Sequence, residues 1–279
     1  MIGILYESNE WSDHKLASEL EARGLPVTMI NMEEPDYETR AYASELLVSR
    51  VFASGMFRGH ELSHQRMPEL LEQAKHRKIR VVNPSEAHFF EISKLVATRR
   101  LAQEGFLVPQ IYACGFPEDC NEQDFVYPCV IKPNCGGRTT YTTIAHTPSE
   151  ARSFLDSVPH MEFIIEEYLE PEKGFLTRVE IINANCALVV QRSVVANGLS
   201  SFHQGSTFAR YDNPSKPLLR DCVDAANTLS FELGSFDVIE RGQNYYFIDA
   251  NSVSNCQKDF ASKVDFDLMS AYADYIATL

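Results

Sequence analysis

The first 85 residues alternate between segments of strand length and segments with helical periodicity. Ile2–Tyr6, Leu46–Phe52 and Ile79–Val82 are mainly apolar and short. Asp13–Arg23 and Met67–Lys78 lie between them and have the character of helices. Strand, helix and strand in succession predict a small parallel sheet with helices packed on it.

Beyond Asn83-Pro84 the pattern changes. A helix is expected over Glu86–Glu104, where Gly105 would end it. From Phe175 onward most signals are those of hairpins, and the polar stretch Asn197–Pro217 predicts an irregular loop. Other expected strands are Gln110–Cys114, Tyr127–Lys132, Thr139–Ala145 and Phe163–Glu167. The prediction is therefore α/β in the first part of the chain and α+β in the rest.

Charge and composition limit the classes of partner. The chain has 279 residues and a formal net charge of −14, whereas nucleic acid and anionic membranes bind basic surfaces, so neither is an expected partner. No apolar run approaches the ~18 residues of a membrane span, and the N-terminal residues lack the pattern of a signal peptide. We therefore expect a cytoplasmic protein whose seven cysteines, without a CxxC pair, are reduced thiols with no assigned role.

Oxygen-bearing side chains interrupt an apolar strand pair near the C-terminus. Phe236–Glu240 and Tyr245–Asn251 are predicted to form a hairpin that brings Asp237 close to Asp249. Asn251 projects from the same strand face as Asp249, because residues two apart share a face. Carboxylates beside buried strand residues are costly unless paired or coordinated, and oxygen ligands suit Mg²⁺. We therefore predict a magnesium site here, with two unrelated solvated acids as the alternative.

A lysine and a glycine pair suit phosphate binding. Lys132 ends a predicted strand, and Gly136-Gly137 follow shortly after it. Glycines allow backbone N–H groups to approach a phosphate closely, and the lysine adds a point charge. A glycine pair also occurs in ordinary turns, so this pattern alone is weak.

Two arginines also suit an anion. A hairpin about Asn183-Ala184-Asn185 would place Arg178 and Arg192 nearly opposite each other. Adjacent guanidinium groups repel unless an anion lies between them, and a phosphoryl group or a substrate carboxylate would serve. The alternative is that each arginine pairs with a nearby acid such as Glu180.

The order of these motifs resembles the ATP-grasp superfamily, and within it the RimK-type and lysine-biosynthesis amino-acid ligases. The segments that carry the resemblance are Asn83-Pro84 with Ser93-Lys94, Tyr127–Pro133 with Gly136-Gly137, Phe163–Leu169, Phe175–Val179 with Val189–Ser193, and Ser201–Ser206. The resemblance runs through most of the chain. It implies an ATP-grasp fold with an N-terminal α/β domain at 1–85, a linker helix and central lid subdomain at 86–170, and a C-terminal antiparallel-sheet subdomain with the metal site at 171–279.

The resemblance also implies roles for individual residues. The implied ATP-binding residues are Lys94, Lys132, Gly136, Gly137, Glu166, Glu167, Tyr168 and Leu169, of which the last four form an adenine hinge. The implied catalytic residues are Arg178 and Arg192. The implied ligands of magnesium, for which manganese could substitute, are Asp237, Asp249 and Asn251.

The reaction implied by the resemblance is amide or peptide bond formation. Members transfer the γ-phosphoryl group of ATP to a carboxylate, and an amine then attacks the acyl phosphate. The partners would be carboxylate and amine substrates, either small molecules or peptides, and relatives are often homodimers or homotetramers. This sequence departs from the family at Ser93 and Leu176, where an Asp is usual, and only Gly205 matches closely in Ser201–Ser206, so His203 receives no role.

Three alternatives to a ligase stay open at this point. His60-Glu61-Leu62-Ser63-His64 matches the H-E-x-x-H pattern of zinc metallopeptidases, which requires both histidines on one face of a helix. Gly59 and Pro68 instead favour a loop or a helix start, and stoichiometric zinc that is lost in His60→Ala would support the peptidase. A non-catalytic ATP-binding module would release no ADP, and a kinase would release ADP without an amine.

Overall fold

The computed structural model describes residues 1–195, 198–200 and 205–279. The elements of its first part are β1 (Ile2–Tyr6), α1 (Trp11–Ala22), β2 (Val27–Asn31), α2 (Tyr37–Tyr42), β3 (Leu46–Arg50), a 3-10 helix (Ala53–Phe57), α3 (Glu61–His76) and β4 (Arg80–Val82). The strands pair in the order β2-β1-β3-β4, and each pair is parallel. The expected small parallel sheet is confirmed.

A second sheet follows two consecutive helices. The elements are α4 (Ser85–Ile92), α5 (Lys94–Gln103), β5 (Ile111–Gly115), a 3-10 helix (Glu122–Asp124), β6 (Cys129–Pro133), β7 (Thr143–Ala145), α6 (Pro148–Leu155) and β8 (Phe163–Glu167). The strands pair in the order β5-β8-β6-β7, and every pair is antiparallel. Lys132 on β6 and Glu166 on β8 are thereby diagonal neighbours, because Lys132 pairs with Ile164 and Val130 pairs with Glu166.

The third sheet has five antiparallel strands. The elements are β9 (Phe175–Ile182), β10 (Asn185–Ser193), β11 (Phe208–Arg210), α7 (Lys216–Thr228), β12 (Leu233–Arg241), β13 (Asn244–Asn251), α8 (Phe260–Val264) and α9 (Leu268–Ile276). The strand order is β11-β10-β9-β12-β13, so the two predicted hairpins meet where β9 pairs with β12. This pairing places the arginine hairpin beside the acidic hairpin.

The last helix packs on the first part of the chain. Met269 and Tyr272 of α9 share a hydrophobic core with Ile4 of β1 and Leu16 of α1. The division of the chain at residues 85 and 170 stays a prediction, and this core joins its first and third parts. This packing holds α9 against β1 and α1.

Three segments differ from the predicted elements. The helix expected over Glu86–Glu104 is two helices, because Ser93 has an extended backbone (φ −143°, ψ 101°). The strand expected over Thr139–Ala145 is shorter, because Thr139 and Tyr141 adopt left-handed φ values of 60° and 50° that no strand accepts. The loop expected over Asn197–Pro217 contains β11 and the start of α7.

Within the described residues, no helix is both long and apolar enough to cross a bilayer.

Candidate functional site

One cleft of about 300 Å³ gathers every residue that the sequence predicted for the site. It lies between the second and third sheets, and its far end is lined by Phe52, Ala53 and Ser54 from the parallel-sheet part of the chain. The predicted residues on its wall are Lys94, Lys132, Gly136, Gly137, Glu166, Glu167, Tyr168, Leu169, Arg178, Arg192, Asp237, Asp249 and Asn251. Their roles stay predictions, but their proximity is observed.

The predicted acidic hairpin forms and brings Asp237 next to Asp249. Asp237 pairs directly with Asp249 across β12 and β13, and the register shifts immediately after Asp237. Asn251 lies two positions along β13 and also faces the cleft. Three oxygen-bearing side chains therefore converge on one side of the sheet, as the alternation of a strand requires.

Asp237 is bound between the two arginines. Arg192 Nη1 donates to Asp237 at 2.6 Å, and Arg178 Nη1 donates to it at 3.3 Å. Burial raises the pKa of Asp237, but the two guanidinium groups outweigh burial and hold its pKa below the usual value. The anion that the arginines need is thus partly supplied by the protein itself.

The arginines are diagonal neighbours and not directly opposite. Arg178 pairs with Val190 and Arg192 with Leu176 in the register of β9 and β10. Arg178 also donates to Glu180 at 2.8 Å, so the alternative in which Glu180 neutralises an arginine applies to Arg178. Sequence spacing could not show that Asp237 would contact both arginines, because its strand β12 is distant in the chain.

Lys94 lies at the start of α5 and points into the cleft. Its Nζ donates to the Gly136 carbonyl at 2.7 Å and lies 3.4 Å from Asp249 Oδ1. Burial lowers the pKa of Lys94, but the carboxylates of Asp249 and Glu91 together raise it above the usual value. The ammonium group is therefore a fixed positive charge between the glycine pair and the predicted metal site.

Glu91 is a cleft residue that the sequence analysis missed. It is buried and accepts hydrogen bonds from the backbone and hydroxyl of Ser252 at 2.7 and 3.1 Å. Burial raises its pKa, and Lys94 opposes that shift. Glu91 lies three residues before Lys94 in the sequence. The sequence analysis predicted one continuous helix here and therefore did not predict the break at Ser93 between these two residues.

Lys132 occupies the other side of the cleft. Its Nζ is 2.6 Å from Glu166 Oε1 and donates to the Ile248 carbonyl at 2.8 Å. Burial raises the pKa of Glu166, while Lys132 opposes that rise. Lys94 and Lys132 thus present two ammonium groups to the same cavity, which suits an anionic ligand.

The segment after Glu166, predicted to form the adenine hinge, lines the cleft. The Glu167 backbone N–H donates to the Gln110 carbonyl at 2.8 Å, and Tyr168 and Leu169 follow it along the cleft wall. Leu169 belongs to an apolar cluster with Leu176 and Ile239. Val130 and Ile248 also line the cleft at this end.

The glycine pair approaches the first part of the chain closely. A Cβ on Gly136 would lie 2.2 Å from the ring of Phe57, so no larger residue fits without displacing that ring. Phe57 also packs edge-on against Tyr141 at 5.7 Å between ring centroids. The loop over residues 134–142, hereafter the glycine loop, therefore lies across one side of the cleft.

Unpartnered polar atoms mark where a ligand would bind. Among the described residues, four buried atoms that belong to cleft side chains have no hydrogen-bond partner: Glu166 Oε2, Arg192 Nε, Asp249 Oδ1 and Asn251 Nδ2. Of these, Asp249 Oδ1 still forms an ion pair with the Lys94 ammonium group at 3.4 Å. Buried polar groups without partners are unusual, and a bound ligand or ion is one reason for them. The oxygen chemistry of Asp249 and Asn251 fits magnesium, whereas Asp237 is already engaged by both arginines.

The two departures from the family pattern have structural roles in this chain. Ser93 is the N-cap of α5, where its hydroxyl accepts from the Val96 N–H at 3.4 Å. Leu176 is 8% exposed and packs in the apolar cluster beside the hinge. Neither change disturbs Lys94 or Asp249.

The H-E-x-x-H pattern lies at a helix start, as its flanking residues indicated. His60 is the N-cap of α3, and the ring nitrogen of His64 is 3.0 Å from the Phe52 carbonyl oxygen. Across the described residues, no three or more His, Cys, Asp or Glu side chains form a group that could hold a metal. His203, to which no role was given, lies outside the described residues.

Comparison with known proteins assigns the fold and a domain family. The profile of the RimK-like ATP-grasp domain matches residues 93–276. No protein of curated function matches the chain in sequence.

Solved structures with the same fold share little sequence with this chain. The ATP-grasp ligase PsnB complexed with a minimal precursor superposes with a TM-score of 0.70 at 17% identity, over 100% of this chain and 99% of PsnB. The D-cycloserine synthetase DcsG gives 0.73 at 13% identity, over 100% and 99%. The D-alanine–D-alanine ligase of Bacillus anthracis gives 0.73 at 14% identity, over 99% and 92%. The expected ATP-grasp fold is confirmed.

Proposed function

Because the chain belongs to the RimK-like ATP-grasp family, we propose that it is an ATP-dependent ligase that joins a carboxylic acid to an amine. The observation that carries this proposal is the convergence of Lys94, Lys132, Arg192, Asp249 and Asn251 on one cleft, with unpartnered buried polar atoms among them. Such a site suits a polyanion bound together with a divalent cation.

ATP is proposed to lie along the cleft from the hinge to the arginines. The adenine would contact the backbone after Glu167 and the apolar cluster that contains Leu176 and Ile239. The phosphates would then lie between Lys94 and Lys132, with the glycine loop above them. The predicted hinge, both lysines and both arginines line this one cleft, which supports the proposal.

Magnesium would be held by Asp249 and Asn251, with Asp237 completing the predicted set. The metal ion would neutralise part of the phosphate charge when bound. Asp237 holds Arg192 and Arg178 in place, so its carboxylate also serves to orient these guanidinium groups. An interaction of this kind positions charge before the reaction begins.

The proposed reaction has two displacement steps. A carboxylate oxygen of the acid attacks the γ-phosphorus of ATP, the bond to the β-phosphate oxygen breaks, and ADP leaves. The amine nitrogen then attacks the carbonyl carbon of the acyl phosphate, loses a proton, and displaces inorganic phosphate. Arg192 would stabilise the negative charge that develops in these steps, and its Nε, which has no hydrogen-bond partner among the described residues, supports this role.

The acid and amine substrates are proposed to enter beyond Asn251. The cleft is lined there by Asn255, Gln257, Asp259 and Lys263, whose polar side chains would contact the substrates. One structure of PsnB contains a precursor peptide, whereas another protein of this fold is a D-alanine–D-alanine ligase. Both peptide and small-molecule substrates are therefore included in the proposal.

A screen for ADP release tests the proposed function. Purified protein would be incubated with ATP and Mg²⁺ against a matrix of acids and amines, and ADP and amide product would be quantified together. We expect ADP release that requires both an acid and an amine. Release with an acid alone would indicate a kinase, and binding of ATP without any release would indicate a non-catalytic module.

Asp249→Ala supplies the loss-of-function variant for that screen. Removal of this carboxylate should lower ADP release by about 100-fold or more, because the charge that neutralises the metal ion is lost. Asp212→Ala is a matched control, since Asp212 is 75% exposed and lies outside the cleft. Full activity in Asp249→Ala would contradict the predicted metal site.

A further inference from the structure

Glu10 joins three distant parts of the chain at the end of the cleft. It lies just before α1, and its Oε1 accepts from Arg58 Nη1 at 2.9 Å and from Arg138 Nη2. Its Oε2 accepts from Asn255 Nδ2 at 3.2 Å. Burial raises the pKa of Glu10, but Arg138, Asn255 and Arg58 together lower it below the usual value, so the carboxylate is ionised at neutral pH.

Arg138 belongs to the glycine loop, whose backbone is strained. Arg138 and Thr139 both have φ of 60°, and Tyr141 has φ of 50°. Residues with side chains rarely adopt this region, and they persist there only where surrounding contacts hold them. The contacts of Arg138 with Glu10 and of Tyr141 with Phe57 are of this kind.

Asn255 belongs to the opposite wall of the cleft. The segment over residues 252–257, hereafter the acceptor segment, follows the predicted metal ligand Asn251 and lines the entrance proposed for the substrates. Asn255 Oδ1 also accepts from Ser12 Oγ at 2.8 Å. The Arg50 guanidinium donates to the Ser254 carbonyl at 2.8 Å, so the segment is tied to the parallel-sheet part of the chain.

We propose that Glu10 is a positioning residue that couples the glycine loop to the acceptor segment, an inference that rests on the ligase function proposed above. The Glu10 carboxylate contacts both the glycine loop and the acceptor segment, so ordering of either segment favours ordering of the other. In a ligase, ordering of the acceptor segment by a substrate would then favour closure of the glycine loop over the phosphates. Water would then be kept from the acyl phosphate, which it would otherwise hydrolyse.

The coupling can be measured without acid or amine. Trypsin cleaves after arginine, so the rate of cleavage after Arg138 reports directly on the glycine loop. In Glu10→Gln we expect this rate to rise about fivefold or more, with faster amide hydrogen exchange in both the glycine loop and the acceptor segment. Glu19→Gln is the matched control, because Glu19 has a side-chain exposure of 20% against 19% for Glu10. Glu19 pairs with Lys15 on α1 and with Arg23 at the C-cap of that helix.

A second variant tests transmission between the walls. Asn255→Ala removes the contact on the acceptor side and leaves Glu10 and Arg138 intact, yet it should also raise the rate of cleavage after Arg138 by about twofold or more. The proposal would be overturned if Glu10→Gln or Asn255→Ala were cleaved after Arg138 at the same rate as the wild type. These measurements need no nucleotide, so their failure would leave the ligase proposal to be judged by ADP release.

Nucleotide binding adds an independent readout. The affinity for the non-hydrolysable analogue AMPPNP with Mg²⁺, measured by calorimetry, should fall about fivefold in Glu10→Gln and stay unchanged in Glu19→Gln. Equal affinities for Glu10→Gln and wild type would contradict a role for Glu10 in placing the glycine loop. Absence of binding in the wild type would instead contradict the proposed function.

Discussion

Ser93 Oγ donates to Asn134 Oδ1 at 3.3 Å, which links the start of α5 to the first residue of the glycine loop. The same Asn134 oxygen accepts from the Leu95 N–H at 2.9 Å, and the Lys94 N–H donates to the Asn134 carbonyl at 3.0 Å. The backbone that carries Lys94 is therefore held by the loop that Lys94 faces. A serine at this point performs the structural role of a helix cap.

Replacement of Ser93 tests that role. Ser93→Ala removes the N-cap oxygen and should lower the free energy of unfolding by about 1 kcal/mol. Ser93→Asp restores a capping oxygen with a charge that suits a helix N-terminus, and should cost less than the alanine variant. Urea denaturation of the three proteins measures the difference. Equal midpoints for Ser93→Ala and wild type would show that the cap contributes no stability.

Leu176 gives a second test of a departure from the family pattern. It is 8% exposed in the apolar cluster with Leu169 and Ile239, where an unpaired carboxylate would lose its hydration. Leu176→Asp should therefore lower the free energy of unfolding by about 2 kcal/mol or more. Leu176→Met conserves volume and should cost less than about 1.5 kcal/mol. If Leu176→Asp unfolded at the same urea concentration as the wild type, this packing role would be wrong.

Local patterns predicted the parts of the site that depend on neighbouring residues. The hairpin itself follows from local sequence, but its turn alone would place Asp237 opposite Ile248, and the register shift after Asp237 is what brings it opposite Asp249. Phe163–Glu167 has the predicted bounds, because its strand begins with an apolar run and ends at an acidic pair. The ATP-grasp fold itself was expected from the order of motifs.

Long-range pairing accounts for what the sequence could not predict. Asp237 lies between Arg178 and Arg192 because β12 pairs with β9, and no local pattern states which hairpins become neighbours. The contact of Glu10 with Arg138 joins residues 128 positions apart, for which one sequence contains no signal. Such contacts form only when the sheets assemble.

The pKa of Glu7 predicts how stability depends on pH. Its side chain is fully buried, and burial raises its pKa from 4.5 to about 7 although Arg58 lies 2.6 Å away. Between these pH values the folded protein keeps a proton that the unfolded chain has released, so stability falls as pH rises. The loss should reach about 3 kcal/mol near pH 7 and should not grow further above it.

Glu7→Gln supplies the reference for that measurement. Glutamine does not titrate, so the difference in unfolding free energy between wild type and Glu7→Gln should change across this pH window and be constant below and above it. Urea denaturation at a series of pH values measures both curves. Parallel curves from pH 4 to pH 8 would show that Glu7 titrates normally.

Arg192 is expected to act in the transition state more than in ATP binding. Its Nη1 is held by Asp237 at 2.6 Å and its Nη2 donates to the Ser200 carbonyl at 3.0 Å, while its Nε faces no partner among the described residues. A fixed guanidinium with an open donor stabilises charge that develops during phosphoryl transfer. Arg192→Lys keeps the positive charge but loses the planar fork, so kcat for ADP release should fall about 100-fold with a small change in the KM for ATP.

Arg220→Lys is the matched control for this substitution, since Arg220 has a side-chain exposure of 72% and lies outside the cleft. Its kcat and KM should equal those of the wild type. A higher KM for ATP at unchanged kcat in Arg192→Lys would place Arg192 in ground-state nucleotide binding, because an interaction made equally in the ground and transition states changes only KM. A fall in kcat alone would instead assign Arg192 to the transferring phosphoryl group.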